Sequence, residues 1–193
     1  MGMKTTRKVV PRPIKPIKDK EQMREVKRQA QLMGDRQYML VLLGLNTGLR
    51  ISDLLKLKVG EFRDRDRLMI AEKKTGKHSE ILLHPSVLAD VRRMTKGRSS
   101  DELLFASTHA DQHGKAISYV TAYRWVKEAC RRAGIERYAG CHTLRKTFGY
   151  MNYQKYRNVA LLMKRFNHSG QDVTLHYIGV DQTEMDKLSE NLL

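Results

Sequence analysis

No segment of this chain of 193 residues is apolar enough to cross a bilayer: its longest apolar run, Met39 to Leu43, falls far short of the roughly 20 residues a spanning helix needs. The N-terminus also lacks the apolar core of a secretion signal, which predicts a cytoplasmic protein with no membrane partner. Cysteine is nearly absent. Cys130 and Cys141 are too few for a disulfide framework and have no metal-ligand spacing, so both read as buried thiols, Cys141 as a small filler ahead of a helix. No phosphate-binding glycine loop and no metal cluster occurs, and the reading carries neither nucleotide nor metal cofactor. Acidic residues are scarce as well, with 21 Asp and Glu against 37 Lys and Arg and a net charge of +16. Such a balance points to a polyanionic partner, nucleic acid first.

What is present divides into three stretches. Residues 1–18 interleave Pro11, Pro13 and Pro16 with Lys4, Arg7, Lys8, Arg12, Lys15 and Lys18 and have no apolar periodicity, which predicts a basic flexible arm. Residues 19–180 form the main domain. Asp19 can cap a first helix through about Met33, and Asp35 a second that ends near Asn46, Thr47 and Gly48. Ile51, Leu54 and Leu55 give one face to a short third helix, with Arg50 at its start. The period then changes. Leu68 to Ile70 and Ile81 to Leu83 are strand-like runs around the basic tip Lys73 to Lys77, a hairpin signature. Further helices are predicted over roughly 86–95, 118–133, 142–154, 158–166 and 171–178, giving a mainly helical α+β fold with a small antiparallel sheet. The tail, 181–193, sets Asp181, Glu184, Asp186 and Glu190 against Lys187 and carries a helical stripe of Met185, Leu188, Leu192 and Leu193, so it should avoid DNA and dock on protein, on its own domain or on a second copy.

Across the main domain lie residues that together suit phosphodiester cleavage: Arg50, Lys74, His142, Arg145, His168 and Tyr177. Two guanidiniums can grip non-bridging phosphate oxygens in bidentate fashion, a phenol can attack phosphorus, and imidazole or ammonium can move protons. His142 and Arg145, three apart, share one helical face and can reach the same phosphate. A tyrosine of ordinary pKa, about 10, is ionised only about one part in 10³ near neutrality, a handicap of about 4 kcal/mol that neighbouring cations must reduce. A departing 5′ alkoxide needs a proton, and a lysine on a hairpin tip can supply it. Lys74 is preferred on its Lys-Thr-Gly phrase, with Lys73 and Lys77 as alternatives. Tyr150, Tyr153 and Tyr156 are rival nucleophiles, of which Tyr150 and Tyr153 share a helix with Phe148 and Met151 in the manner of core residues. Asp53, three after Arg50, reads as a holder of nearby arginines, and His176 as incidental.

The order of these residues resembles the catalytic domain of the tyrosine recombinases, the phage integrase family: an arginine after Thr-Gly-Leu (Arg50), a hairpin lysine (Lys74), His-x-x-Arg (His142, Arg145), a second histidine (His168) and a tyrosine nine residues later (Tyr177). The likeness covers roughly residues 20–180 and is closest to the short members, including small DNA invertases. It implies cleavage and rejoining of double-stranded DNA through a 3′-phosphotyrosyl intermediate, a homotetramer on DNA, proton removal assisted by His142 and a phosphate contact from His168. It also implies a tail that docks on a neighbouring protomer. Full-length relatives generally carry an additional N-terminal domain that clamps DNA, so the sequence is either a short member or a catalytic-domain fragment. Phe166-Asn167 departs from the more common Leu-Gly before the second histidine. The rival readings are a DNA-binding regulator on the same scaffold that no longer cuts, and a type IB topoisomerase-like enzyme.

Overall fold

The computed structural model describes residues 14–71, 78–109, 113–180 and Glu184. Helix α1 (Lys20–Met33) starts where Asp19 Oδ1 accepts the Gln22 amide at 2.7 Å, the cap expected from sequence. Helix α2 (Asp35–Thr47) starts one residue earlier than expected, because Gly34 takes the cap position and Asp35 becomes its first helical residue. From Met39 to Leu45 α2 is buried all round, which makes it the central helix, against which α1, α4, α5 and α6 pack. It stops at Gly48, whose φ of +65° closes the turn in the left-handed region that glycine tolerates best. A four-residue helix α3 (Ile51–Leu54) follows, with Arg50 at its cap position.

The hairpin pairs β1 (Arg67–Ala71) with β2 (His78–Leu82), antiparallel, Leu68 opposite Ile81. Leu68 and Ile81 face the core while Met69 and Leu82 face outward, the period-2 pattern read from the sequence. The tip with Lys73, Lys74 and Lys77 lies outside the described residues. Then come α4 (Pro85–Met94), α5 (Tyr119–Arg132), α6 (Cys141–Tyr156), α7 (Val159–Phe166) and α8 (Gln171–Ile178). Cys130 and Cys141 are buried and free, and burial pushes the Cys130 thiol up to about 12.

Among the described residues, buried apolar side chains form two clusters, and α6 belongs to both. The larger joins α1 to α5 with Cys141 and Leu144, the first turn of α6. The smaller joins Tyr150 of α6 to Leu162 and Phe166 of α7 and Ile178 of α8. Helix approach is close at two α6 contacts: a Cβ on Gly44 of α2 would lie 2.6 Å from Leu144, and one on Gly149 would lie 2.5 Å from Ile178 and 2.7 Å from Phe166. At the other end of the chain, Ile17 is buried and its amide donates to the Thr147 hydroxyl at 2.8 Å, so residues 14–18 lie along α6.

Candidate active site

Arg145, one turn into α6, is only 5 % exposed. Its guanidinium donates to the carbonyl of Gly48, in the turn before Arg50, and at 3.1 Å to the carbonyl of Phe166, at the end of α7. A further hydrogen bond links the Arg145 side chain to Tyr177, and of the five guanidinium N–H groups these three bonds leave two for a ligand. Among the described residues no carboxylate forms an ion pair with Arg145. Burial is the main cause that holds its pKa down at about 10, and Arg50 adds to the effect while Asp53 opposes it. Arg165 of α7 donates at 2.9 Å to the carbonyl of Thr47. Two arginines therefore clip the turn from Thr47 to Gly48, and that turn presents the exposed Arg50. A cleft of about 160 Å³ opens there, lined by Arg50, His142, Arg145, Tyr119, Cys141 and Leu49 among others.

Tyr177, on α8, lies against two residues of the cleft wall, His142 and Arg145. Its hydroxyl lies 3.3 Å from His142 Nδ1, and its ring meets that of His168 at 5.0 Å and 79° and that of Phe166 at 5.6 Å and 67°. The Lys146 ammonium sits 5.0 Å from the Tyr177 ring centroid. Burial raises the phenol pKa and outweighs the lowering by Arg145 and Arg50. The cation field expected from sequence is thus in place, but desolvation outweighs it and the phenol stays neutral. His142 and His168 are both shifted down, by burial first and then by Arg145 together with Lys146 and Arg50 for His142, and by Arg145 and Arg50 for His168. Neutral at pH 7, His142 can accept a proton.

His168 is held by Thr174, three residues before Tyr177 on α8, with 3.1 Å between His168 Nδ1 and Thr174 Oγ1. The Thr174 hydroxyl proton goes to the Gly170 carbonyl at 3.0 Å. Nδ1 of His168 is therefore the donor to Thr174, and Nε2 is the nitrogen left for a ligand. Asn167, in the left-handed conformation, ends α7 and turns the chain so that His168 faces α8.

Of the six sequence candidates, five converge: Arg50, His142, Arg145, His168 and Tyr177. Lys74 lies outside the described residues. The rival tyrosines stand elsewhere. Tyr150 gives its hydroxyl to Glu184 at 2.5 Å, the Tyr153 ring lies 5.4 Å from the Arg157 guanidinium, and Tyr156 is exposed. Glu184, the one described tail residue, also accepts from Gln154 at 3.3 Å and lies 3.6 Å from the Lys18 ammonium, so this point of the tail rests on its own domain. Sequence reasoning missed Phe166, Lys146 and Thr174, whose roles depend on which side chains the folded helices bring alongside them.

A family model described as the phage integrase family matches residues 19–184. A relative named probable integrase/recombinase YoeC, from Bacillus subtilis (strain 168), is 39% identical over 169 residues, covering 88% of this chain and 91% of the relative. Tyrosine recombinase XerA of Pyrococcus furiosus is 26% identical over 165 residues, 82% of this chain and 57% of the relative. Among solved structures, XerA recombinase superposes with a TM-score of 0.71 at 15% identity, over 95% of this chain and 64% of that one. XerH recombinase in a post-cleavage complex with a palindromic difH substrate gives a TM-score of 0.71 at 19% identity, over 92% and 53%. The chain thus spans nearly all of YoeC but about half to two thirds of the Xer proteins.

Proposed function

Because the chain belongs to the phage integrase family, we propose that it is a site-specific tyrosine recombinase that cleaves and rejoins double-stranded DNA, with Tyr177 as its nucleophile. One observation carries the assignment of Tyr177: its hydroxyl lies 3.3 Å from a histidine nitrogen and is hydrogen-bonded by the buried Arg145. The phosphate enters between Arg50 and Arg145, whose forks hold its non-bridging oxygens and offset the added negative charge of the pentavalent transition state. The Tyr177 oxygen then attacks phosphorus while its proton passes to His142. The 3.3 Å separation is long for such a bond and shortens when substrate closes the site.

The bond from phosphorus to the 5′ oxygen breaks as the tyrosyl bond forms, and the departing alkoxide takes a proton from Lys74. The 3′-phosphotyrosyl bond conserves the energy of the broken phosphodiester, so a second 5′ hydroxyl can reverse the step on a new partner strand. His168 enters with Nε2 unprotonated, and the phosphate charge raises its pKa so that Nε2 becomes a donor to a phosphate oxygen. Rejoining in pairs of strands calls for a homotetramer on DNA. A cytoplasmic site of action accords with the absence, among the described residues, of any helix long and apolar enough to cross a membrane. A nicked substrate that lets the cleaved end diffuse away tests the reading: the intact chain accumulates covalent adduct and Tyr177→Phe binds DNA without forming it.

A further inference from the structure

We infer that Phe166 is a positioning residue for cleavage: the face of its ring holds the buried Arg145 guanidinium in the orientation that meets the phosphate. The inference rests on the phosphotyrosyl reading above. Arg145 is a cation almost wholly removed from water, with carbonyl acceptors and no ion pair among the described residues. Phe166 supplies what is missing. Its ring centroid lies 4.3 Å from the guanidinium carbon, and its own carbonyl accepts from the same side chain at 3.1 Å. A π-face stabilises a cation without neutralising it. A carboxylate in that place would compete with the phosphate for the same N–H groups.

The ring is fixed by its surroundings. Phe166 is 0 % exposed, meets Phe148 at 6.2 Å, and lies against Gly149 of α6, where a Cβ would come within 2.7 Å of it. On its remaining sides it meets the rings of His168 at 5.4 Å and Tyr177 at 5.6 Å. One buried ring thus sets Arg145, His168 and Tyr177 relative to one another. A leucine could fill much of this volume but has no π-face to offer Arg145.

The test replaces Phe166 in the full chain with mono-, di- and trifluorophenylalanine, which drain the ring face of electron density at nearly constant shape. Cyclohexylalanine, equally bulky without a π-face, completes the series. Adduct formation on the nicked substrate should slow in that order, by roughly tenfold from phenylalanine to the trifluoro ring, with DNA affinity unchanged and the melting temperature lowered by only a few degrees. Equal rates across the series, or losses that follow melting temperature instead of fluorination, would overturn the inference. A readout without DNA separates it from the function proposed above. The guanidinium protons of Arg145 should be shifted upfield by the ring current in the parent and lose that shift with cyclohexylalanine, and a spectrum that does not change would reject Phe166 whatever the cleavage result. An intact chain that forms no adduct would instead count against the phosphotyrosyl reading.

Discussion

Gly149→Ala adds one methyl group to α6 where it meets α7 and α8. The new carbon would lie 2.5 Å from the Ile178 Cγ2 methyl and 2.7 and 2.8 Å from Phe166 ring atoms. None of these is the free end of a flexible chain. The methyl sits directly on Cβ, and both residues are fully buried. Overpacking of this kind costs about 3 kcal/mol at the upper end of its range. Alanine recovers about 1 kcal/mol through its helix propensity, since Gly149 is helical. The net loss, about 2 kcal/mol, corresponds to a fall in Tm of roughly 4–8 °C for a domain of this size. Relief must come from α7 and α8 both moving away from α6, and α8 carries Tyr177. A shift of about 1 Å at a nucleophile typically costs about 10²-fold in rate. Cleavage should therefore fall far more than DNA affinity, because Arg50 and the basic surface are untouched. Calorimetry paired with single-turnover cleavage checks both halves. A parent-like Tm with parent-like cleavage would refute the argument that this contact fixes the nucleophile.

Three further perturbations probe other parts of the site. Arg145→Lys keeps a charge but loses the fork, so cleavage should drop by about 10²–10³-fold in single-turnover assays while binding persists. It should also lower Tm, because the Gly48 and Phe166 carbonyls lose their paired donor. His142 and His168 have folded pKa values below the ordinary imidazole value of about 6.5. Below that pH the unfolded chain binds more protons than the folded one, so their contribution to stability is present above about pH 6.5 and is lost as pH falls through the folded values. Chemical denaturation across pH 5 to 8 should show this decline, and a His142→Gln, His168→Gln double variant should flatten it. For Lys74, a substrate with a 5′-bridging phosphorothiolate should restore cleavage to Lys74→Ala, since a thiolate leaves without a proton. Rescue of Lys73→Ala or Lys77→Ala in its place would move the general acid along the hairpin.

Much of this organisation could be read before the fold was seen, for identifiable reasons. The Asp19 cap, the Gly48 stop and the Leu68–Ile81 pair follow from local chemistry and from periods of 3.6 and 2, which sequence displays directly. The five converging candidates were legible because each sits in a short phrase with its own spacing. Phe166 was visible only as a departure from a pattern, since its value lies in three rings and a guanidinium brought from other helices. The neutral state of Tyr177 was hidden too. Sequence shows the cations near it, but burial, which decides the sign, exists only after α6, α7 and α8 pack. Glu184 is a further case: the acidic tail predicted a protein contact, and its partners Tyr150, Gln154 and Lys18 emerge only from three-dimensional proximity.

The central claim is that Tyr177 becomes covalently joined to a 3′ phosphate. Mass-spectrometric mapping of the adduct trapped on a nicked substrate, after digestion of protein and DNA, addresses it most directly. The account predicts a single modified peptide containing Tyr177, with the nucleotide on its phenolic oxygen and none on Tyr150, Tyr153 or Tyr156. A nucleotide on any other residue, or an adduct that persists in Tyr177→Phe, would contradict it.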